Sequence, residues 1–400
     1  MARLFPAFLC LCVVTAACSS GSEAPVETQP GTPTSVADPV LATPGSDFLS
    51  LLGAVPDTPD TRVYVLLNDY AEAAAQGGLT RPPSESSDQE VAGFLADMIA
   101  ENRRGLSTYP GFWGPSLASV EAWRTELGFS ILDADRDVFA GGPGHRYRII
   151  SGRVDPDDVE RAVRSDPNFS DLLETAEYQG SAYFTWGPEA NADLTRRSAA
   201  RPVGRGGQLA VIEDGIIWTL AETDMQAALD AQAGTLPSLA EFEDFRLAAS
   251  SLELAGAYTA TLTVGVLAVE DVSRFAEAQR PEATADILRL QSEGRFLLPY
   301  SAFGVGASLG NDGRPRAVIV FVNPDQDTAV ENATRFADIV TNAASIFTGR
   351  PWSDLATVDT VTTSGRVTVA VLRTSTPSYF RSLLDVVDSL LFFTTGAPPG

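Results

Sequence analysis

From about residue 47 onward, short apolar runs of strand type alternate with amphipathic runs of helical period, and Pro, Gly, Asn and Asp gather at the joints. One junction occurs twice. In "HRYRIISGRVDPDDVERAV" (residues 145–163) and "RPRAVIVFVNPDQDTAVENAT" (residues 314–334), a strand ends in Asp/Asn-Pro-Asp and a helix follows. A capping side chain accepts from the first free N–H groups of a helix. Pro suits the first helical position, where no N–H is needed, and acids suit the positive end of the helix dipole. The pattern therefore predicts Asp155 and Asn323 as N-caps, Pro156 and Pro324 as first helical residues, and Asp157, Asp158, Asp325 and Asp327 in the first turns.

A second pattern follows each helix. "FSDLLETAEYQGSAYFTWG" (residues 169–187) parallels "WSDLATVDTVTTSGRVTVAVL" (residues 352–372): an aromatic-Ser-Asp-Leu turn, a strand, a glycine at the bend (Gly180, Gly365) and a second strand. Upstream, residues 62–76 and 257–279 each read as a strand running into a helix that opens on an acid. The copies are offset by about 170–195 residues, far beyond the period of solenoid repeats. We read an internal duplication; the alternative is two ordinary strand–helix units that look alike because capping chemistry is universal. Between the copies, residues 208–221 read as a hairpin around Glu213-Asp214-Gly215, residues 192–208 as an exposed basic loop, and residues 235–256 as a capped helix that opens the second half. Residues 377–395 form an amphipathic pattern interrupted by Asp385 and Asp388, which predicts a docking helix rather than a membrane span. Tight turns between strands imply antiparallel pairing. The predicted fold class is α+β: two similar halves, each a mainly antiparallel sheet covered on one face by helices.

Composition narrows the function. A formal charge of −24 over 400 residues argues against a nucleic-acid surface and against docking on anionic headgroups. All 28 basic residues are arginine, which reflects a GC-rich genome or a salty habitat. Cys10, Cys12 and Cys18 are the only cysteines, so no disulfide, thiol nucleophile or thiolate ligand exists beyond residue 18.

Those cysteines belong to a distinct N-terminal pattern. One cationic residue, Arg3, precedes the eleven-residue apolar run "LFPAFLCLCVV" (residues 4–14), which suits a signal peptide and falls short of the roughly 20 residues a spanning helix needs. Thr15-Ala16-Ala17-Cys18 then resembles the lipobox of bacterial lipoproteins, with Thr15 in place of the usual leucine. The resemblance covers about eighteen residues and implies cleavage before Cys18, acylation of its thiol and amine, and anchoring to the cell membrane or outer membrane. Ser19 favours the outer membrane in a two-membrane cell. The same tripeptide also fits an ordinary signal-peptidase site, which would leave Cys18 free. Residues 19–46 carry five prolines and no amphipathic period. They read as an extended tether reaching up to ~80 Å at ~3 Å per residue.

Candidate chemistry is sparse. The single histidine, His145, would have to serve any Ser-His-Asp triad, and no multi-histidine metal site can form. "GGPG" and "VGRGGQ" each precede a strand, so neither is a helix-capping phosphate cradle. "DADRD" offers Asp133, Asp135 and Asp137 at calcium-loop spacing, but Val138 and Gly144 stand where Gly and Glu are required. It is a weak metal candidate beside the reading of a solvated acidic turn. Carboxylate pairs with Trp113, Trp123, Trp186, Trp218 or Trp352 could line a sugar cleft, although Trp186 and Trp218 fall in strand patterns. Residues 94–106 and 285–300 could line a lipid-sized cavity, or simply pack a core.

The chain thus divides into a signal peptide (1–17), a tether (18–46), a first half (47–235), a second half (236–395) and a tail (396–400). The expectation is an exported lipoprotein acting as a non-enzymatic binding or scaffolding component of the envelope. The alternatives are a carrier of a hydrophobic ligand and, third, a carboxylate-based hydrolase. No cofactor is expected. The expected partners are the membrane, through the N-terminal lipid, and an envelope protein or hydrophobic ligand.

Overall fold

The alternation resolves into twelve strands among the residues that the computed structural model describes: 47–83, 86–99, 117–142, 145–264, 296–344 and 350–374. All of these lie in Thr34–Gly400, one of the two units into which the chain divides. The strands are β1 (Val65–Asp69), β2 (Ala134–Ala140), β3 (Tyr147–Gly152), β4 (Glu174–Tyr178), β5 (Ser181–Thr185), β6 (Gln208–Ile212), β7 (Gly215–Thr219), β8 (Thr259–Thr263), β9 (Ala302–Leu309), β10 (Pro315–Val322), β11 (Ala356–Ser364) and β12 (Val367–Thr374). They form one sheet in the order β11-β12-β10-β9-β8-β1-β2-β3-β7-β6-β5-β4, and every pairing is antiparallel.

The expectation of a separate sheet in each half is corrected by the seam between β1 and β8, where Leu66 pairs with Thr261 and Leu67 with Ala260. Thr259 Oγ1 reinforces it, donating to Asn68 Oδ1 at 2.7 Å and to the Leu67 carbonyl at 3.1 Å. Both strands send apolar side chains to the same face, Val65 and Leu67 beside Ala260 and Leu262, so pairing them joins two half-cores into one. A strand's pattern states which face it buries and is silent on its neighbour.

Helices cover both faces rather than one. On one face lie α1 (Asp47–Gly53), α7 (Glu222–Gln232) and α8 (Glu243–Leu254), through Phe48, Leu52, Met225, Ala228, Phe245 and Leu252. The other face is covered by α3 (Tyr70–Gln76), α5 (Leu117–Leu127) and α6 (Pro156–Ser165), and at the far end by α9 (Gln326–Asn342) with Phe336, Ile339 and Val340. Strand β10 shows why. Val318, Val320 and Val322 enter one core while Ala317, Ile319 and Phe321 enter the other. Its continuous apolar run is the mark of a strand buried on both sides, and each buried Val, Ile or Phe contributes about 1.5–3 kcal/mol. Among the remaining helices, α2 (Pro59–Val63) precedes β1, and α4 (Asp88–Ile99) packs Val91 and Leu95 against Val120 of α5.

The turn chemistry follows the sequence in most places. Gln179 (φ 50°) and Gly180 (φ 83°) make the two-residue loop between β4 and β5, whose left-handed pair matches the sheet twist. Asp155 caps α6, its Oδ1 accepting from the Asp157 N–H at 2.9 Å, and Pro156 is the first helical residue. At the second junction the expected cap is displaced. Asp325, not Asn323, caps α9, accepting from the Thr328 N–H at 2.7 Å. Asn323 is buried and spends its amide on the sheet, donating to the Arg366 carbonyl at 3.0 Å and Thr368 Oγ1 at 3.1 Å. A side chain committed to a strand cannot also reach a helix end, so Pro324 lies outside the helix and α9 begins at Gln326.

Candidate functional site

Cys18, the lipobox and the tether lie outside the described residues, as do the predicted helix at 377–395 and residues 285–295 of the proposed cavity lining. No helix among the described residues is long and apolar enough to cross a membrane. Leu95 and Met98 from residues 94–99, and Leu297 and Tyr300 from residues 296–300, are buried as core side chains.

The three aspartates of "DADRD" do not converge. Asp133 Oδ2 accepts from the Ser130 N–H at 2.8 Å, and Asp135 Oδ1 meets Arg81 Nη1 at 2.5 Å. Asp137 is buried, where strand alternation turns it inward. It accepts from Asn68 Nδ2 and the Tyr70 hydroxyl, both at 2.7 Å, and from Arg148 Nη2 at 2.6 Å. Each carboxylate is thus engaged by its own donors, and no group of three His, Cys, Asp or Glu residues among the described residues is placed to hold a metal. The reading of a solvated turn also fails for Asp137, which is a structural charge in the centre of the sheet.

His145 is half exposed and leans on a buried acid. Its Nδ1 lies 2.8 Å from Asp224 Oδ1, and Nε2 lies 4.0 Å from Asp60. The hydrogen bond to Asp224 raises the imidazole pKa above its ordinary value, against a smaller opposing effect of burial. Asp224 also accepts from the Tyr147 hydroxyl at 3.2 Å and the Arg146 N–H at 3.3 Å. There is no nucleophilic serine in this set. The histidine pins α7 to the start of β3.

The loop at 192–208 is the exposed basic segment its composition predicts only in its first half; most of residues 200–208 are buried. Arg201 is 1% exposed, ion-paired to Asp166, 3.5 Å from Glu126 Oε2, and stacked 4.3 Å from the Phe169 ring centroid. Burial pushes its pKa down and pushes that of Glu126 up, while Ser198 Oγ donates to Glu126 at 2.5 Å. Arg196 pairs with Asp171 at 2.7 Å. The loop closes over α5 and α6, with an arginine as its plug.

That closure leaves a small cavity on the helix-facing side of β2, β3 and β7. Phe139, Arg148 and Trp218 rise from these strands. The loop contributes Val203 and Arg205, and Arg146, Tyr147, Thr219 and Leu220 complete the lining, which holds about 70 Å³ and contains no carboxylate. Gly207 permits the approach: at φ 121°, a Cβ there would lie 2.9 Å from Trp218 Nε1 and 2.5 Å from the Thr219 carbonyl oxygen. Arg205 Nε and Trp218 Nε1 are both buried with no hydrogen-bond partner among the described residues. Arg146 has its pKa lowered, first by burial and then by the charge of Arg205. Nothing in the local sequence marked these residues as a set, because they come from separate elements. The available signal was an arginine held between glycines, at 203–208, in a strongly acidic chain.

A second, more polar cleft of about 470 Å³ lies between α5 and α6. Its carboxylates, Asp133 and Asp158, are already engaged, Asp158 by Arg161 in an exposed pair, and no tryptophan lines it. Trp123, Trp186 and Trp352 are buried in cores and Trp218 is partly buried against one, so the tryptophans do not form a sugar cleft; Trp113 lies outside the described residues.

The described residues thus form an α+β body with a cationic, apolar-walled pocket beside β2, β3 and β7. No protein-family model and no curated protein matches the chain. A solved structure described as "Structure of crystal form I of TP0453" is similar to it at 11% identity and a TM-score of 0.35, covering 85% of this chain and 98% of that one.

Proposed function

We propose that the chain is an exported lipoprotein, anchored through an acylated Cys18, whose α+β body binds a partner in the cell envelope without catalysing a reaction. The observation that carries the anchoring is the order of the first forty-six residues: Arg3, an apolar run, Thr15-Ala16-Ala17-Cys18, and then a proline-rich stretch. Two or three acyl chains on one residue suffice for stable attachment, where one binds only marginally. For the body, binding is favoured over hydrolysis because Asp133 and Asp158, the acids of the cleft between α5 and α6, are committed to structural partners. The pocket of about 70 Å³ admits a head group and is too small to enclose a whole ligand, and the larger cleft between α5 and α6 is polar and charged, so a carrier that swallows a lipid is the weaker reading.

The strand order supports an internal duplication as part of this proposal. Strands β8-β9-β10-β12-β11 run outward from the seam in the same sense as β1-β2-β3 and then β5-β4, with hairpin β6–β7 lying between β3 and β5. Superposing residues 65–185 on 259–374 checks it, and a mismatch in the order or direction of those strands sinks it.

Anchoring is tested by intact mass and membrane fractionation of wild type and Cys18→Ala. Wild type is expected to carry acyl mass and sediment with membranes, and Cys18→Ala to lose both. A soluble wild type of unmodified mass overturns the proposal.

A further inference from the structure

Most arginines described in this protein have an acid within reach, as an excess of acids over bases makes easy. Arg205 does not: no ion pair or hydrogen bond holds its side chain among the described residues, although its Nε is buried. It stands at the pocket beside a second cation, Arg146, and the buried, unpartnered indole N–H of Trp218. The charge of Arg205 acts repulsively on Arg146, and the buried donors of Arg205 Nε and Trp218 Nε1 lack acceptors among the described residues, which is unfavourable. Such an arrangement is resolved by an anion. The third arginine, Arg148, is clamped by Asp137 at 2.6 Å and forms a fixed wall.

We propose that this pocket is a binding site for an oxyanion carried on an apolar group, its carboxylate or phosphate head received by Arg146, Arg205 and the Trp218 N–H and its apolar part lying on Phe139, Val203 and Leu220. The volume of about 70 Å³ corresponds to roughly two water molecules' share of liquid, which suits a head group of a few heavy atoms and leaves the rest of the ligand outside. Exposed Val203 marks the rim where the apolar part emerges. Guanidinium groups bind both heads in forked geometry, so the two sources share one chemistry. The glycine-rich loop at 203–208 is therefore no backbone cradle: it delivers an arginine side chain. The inference rests on the reading of the body as a binding module and is independent of the anchor.

The test is calorimetric titration of the full chain, and of its Arg205→Gln and Arg146→Gln variants, with octyl phosphate, octanoate, inorganic phosphate and octyl glucoside, below their micelle-forming concentrations. Octyl phosphate or octanoate is expected to bind wild type at least tenfold more tightly than inorganic phosphate and octyl glucoside, and whichever octyl anion binds more tightly names the source. Each variant is expected to weaken that binding about tenfold with a thermal midpoint no lower than that of wild type, and Arg161→Gln, outside the pocket lining, to leave the binding unchanged. Equal binding by wild type and Arg205→Gln, equal binding of the glucoside, or no binding of either octyl anion overturns the site. Glucoside binding that ignores Arg205 would sink the anion site alone and leave a binding body. Repeating the titration on Cys18→Ala separates the result from the anchor, since the affinity is expected to be the same.

Discussion

Asn332 Nδ2 donates to Asn323 Oδ1 at 2.7 Å, and both residues are fully buried. The pair ties α9 to the end of β10. Asn332 in turn accepts from the Leu298 N–H at 2.6 Å, and Thr368 Oγ1 donates to the Ala329 carbonyl at 2.8 Å. Every polar atom in this knot depends on another, so removing one strands the rest.

Asn323→Ala is therefore expected to destabilise the protein by about 2–4 kcal/mol, because several buried groups lose partners together. Asn323→Asp, which keeps the shape and cannot donate, is expected to do as badly. Urea unfolding of the two variants checks this, and a loss below about 0.5 kcal/mol in Asn323→Ala would show that the knot is dispensable.

The Arg201 ion pair gives a sharper contrast. Asp166→Ala leaves a guanidinium buried beside Phe169 and Trp186 and is expected to cost about 3–5 kcal/mol. The double replacement Asp166→Leu with Arg201→Met removes both charges and is expected to cost much less. Denaturant midpoints of the single and double variants decide it; equal losses would mean that packing, not charge pairing, holds the loop.

His145 offers a clean titration, since its ring signals are the only ones of their type in an NMR spectrum of this chain. Its pKa in the folded protein is expected above 6.5, and Asp224→Asn is expected to bring it down. A raised folded pKa means that the native state holds the proton more tightly than the unfolded chain. The stabilisation is thus fully present below about pH 6.5 and is lost as pH rises through the folded value. Urea midpoints from pH 6 to pH 9 should fall for wild type and stay flatter for Asp224→Asn. An unshifted imidazole signal would refute the contact.

Local chemistry was legible and distant pairing was not. The cap at Asp155, the bend at Gly180 and the hairpin β6–β7 rest on residues close in sequence, where turn and capping rules act directly. Asn323 misled because its amide is drawn to Arg366 and Thr368, 43 and 45 positions away, which no local pattern displays. The seam of β1 with β8 joins residues 191 positions apart at Asn68 and Thr259. Two-sided burial was missed, since helices were expected on one face only, although the run "AVIVFV" of β10 carries the signal: a strand with one wet face would alternate. Arg201 and Arg205 sit four residues apart in one basic loop, yet one is a buried plug and the other lines a pocket. Composition assigns them the same fate; only the acids around each tell them apart.

Joining β1 to β8 also changes what the sheet offers to its surroundings. Two separate sheets would present four unpaired strand edges, whereas the continuous one presents two among the described residues, at β4 and β11. Strand β4 carries exposed Glu174 and Glu177, and β11 breaks its ladder between Val358 and Thr360, where Asp359 turns to Arg316 and Arg373. Charge at one margin and a bulge at the other deny an incoming strand a flat template. Copies of this chain that meet margin to margin are thereby kept from zipping together edge to edge.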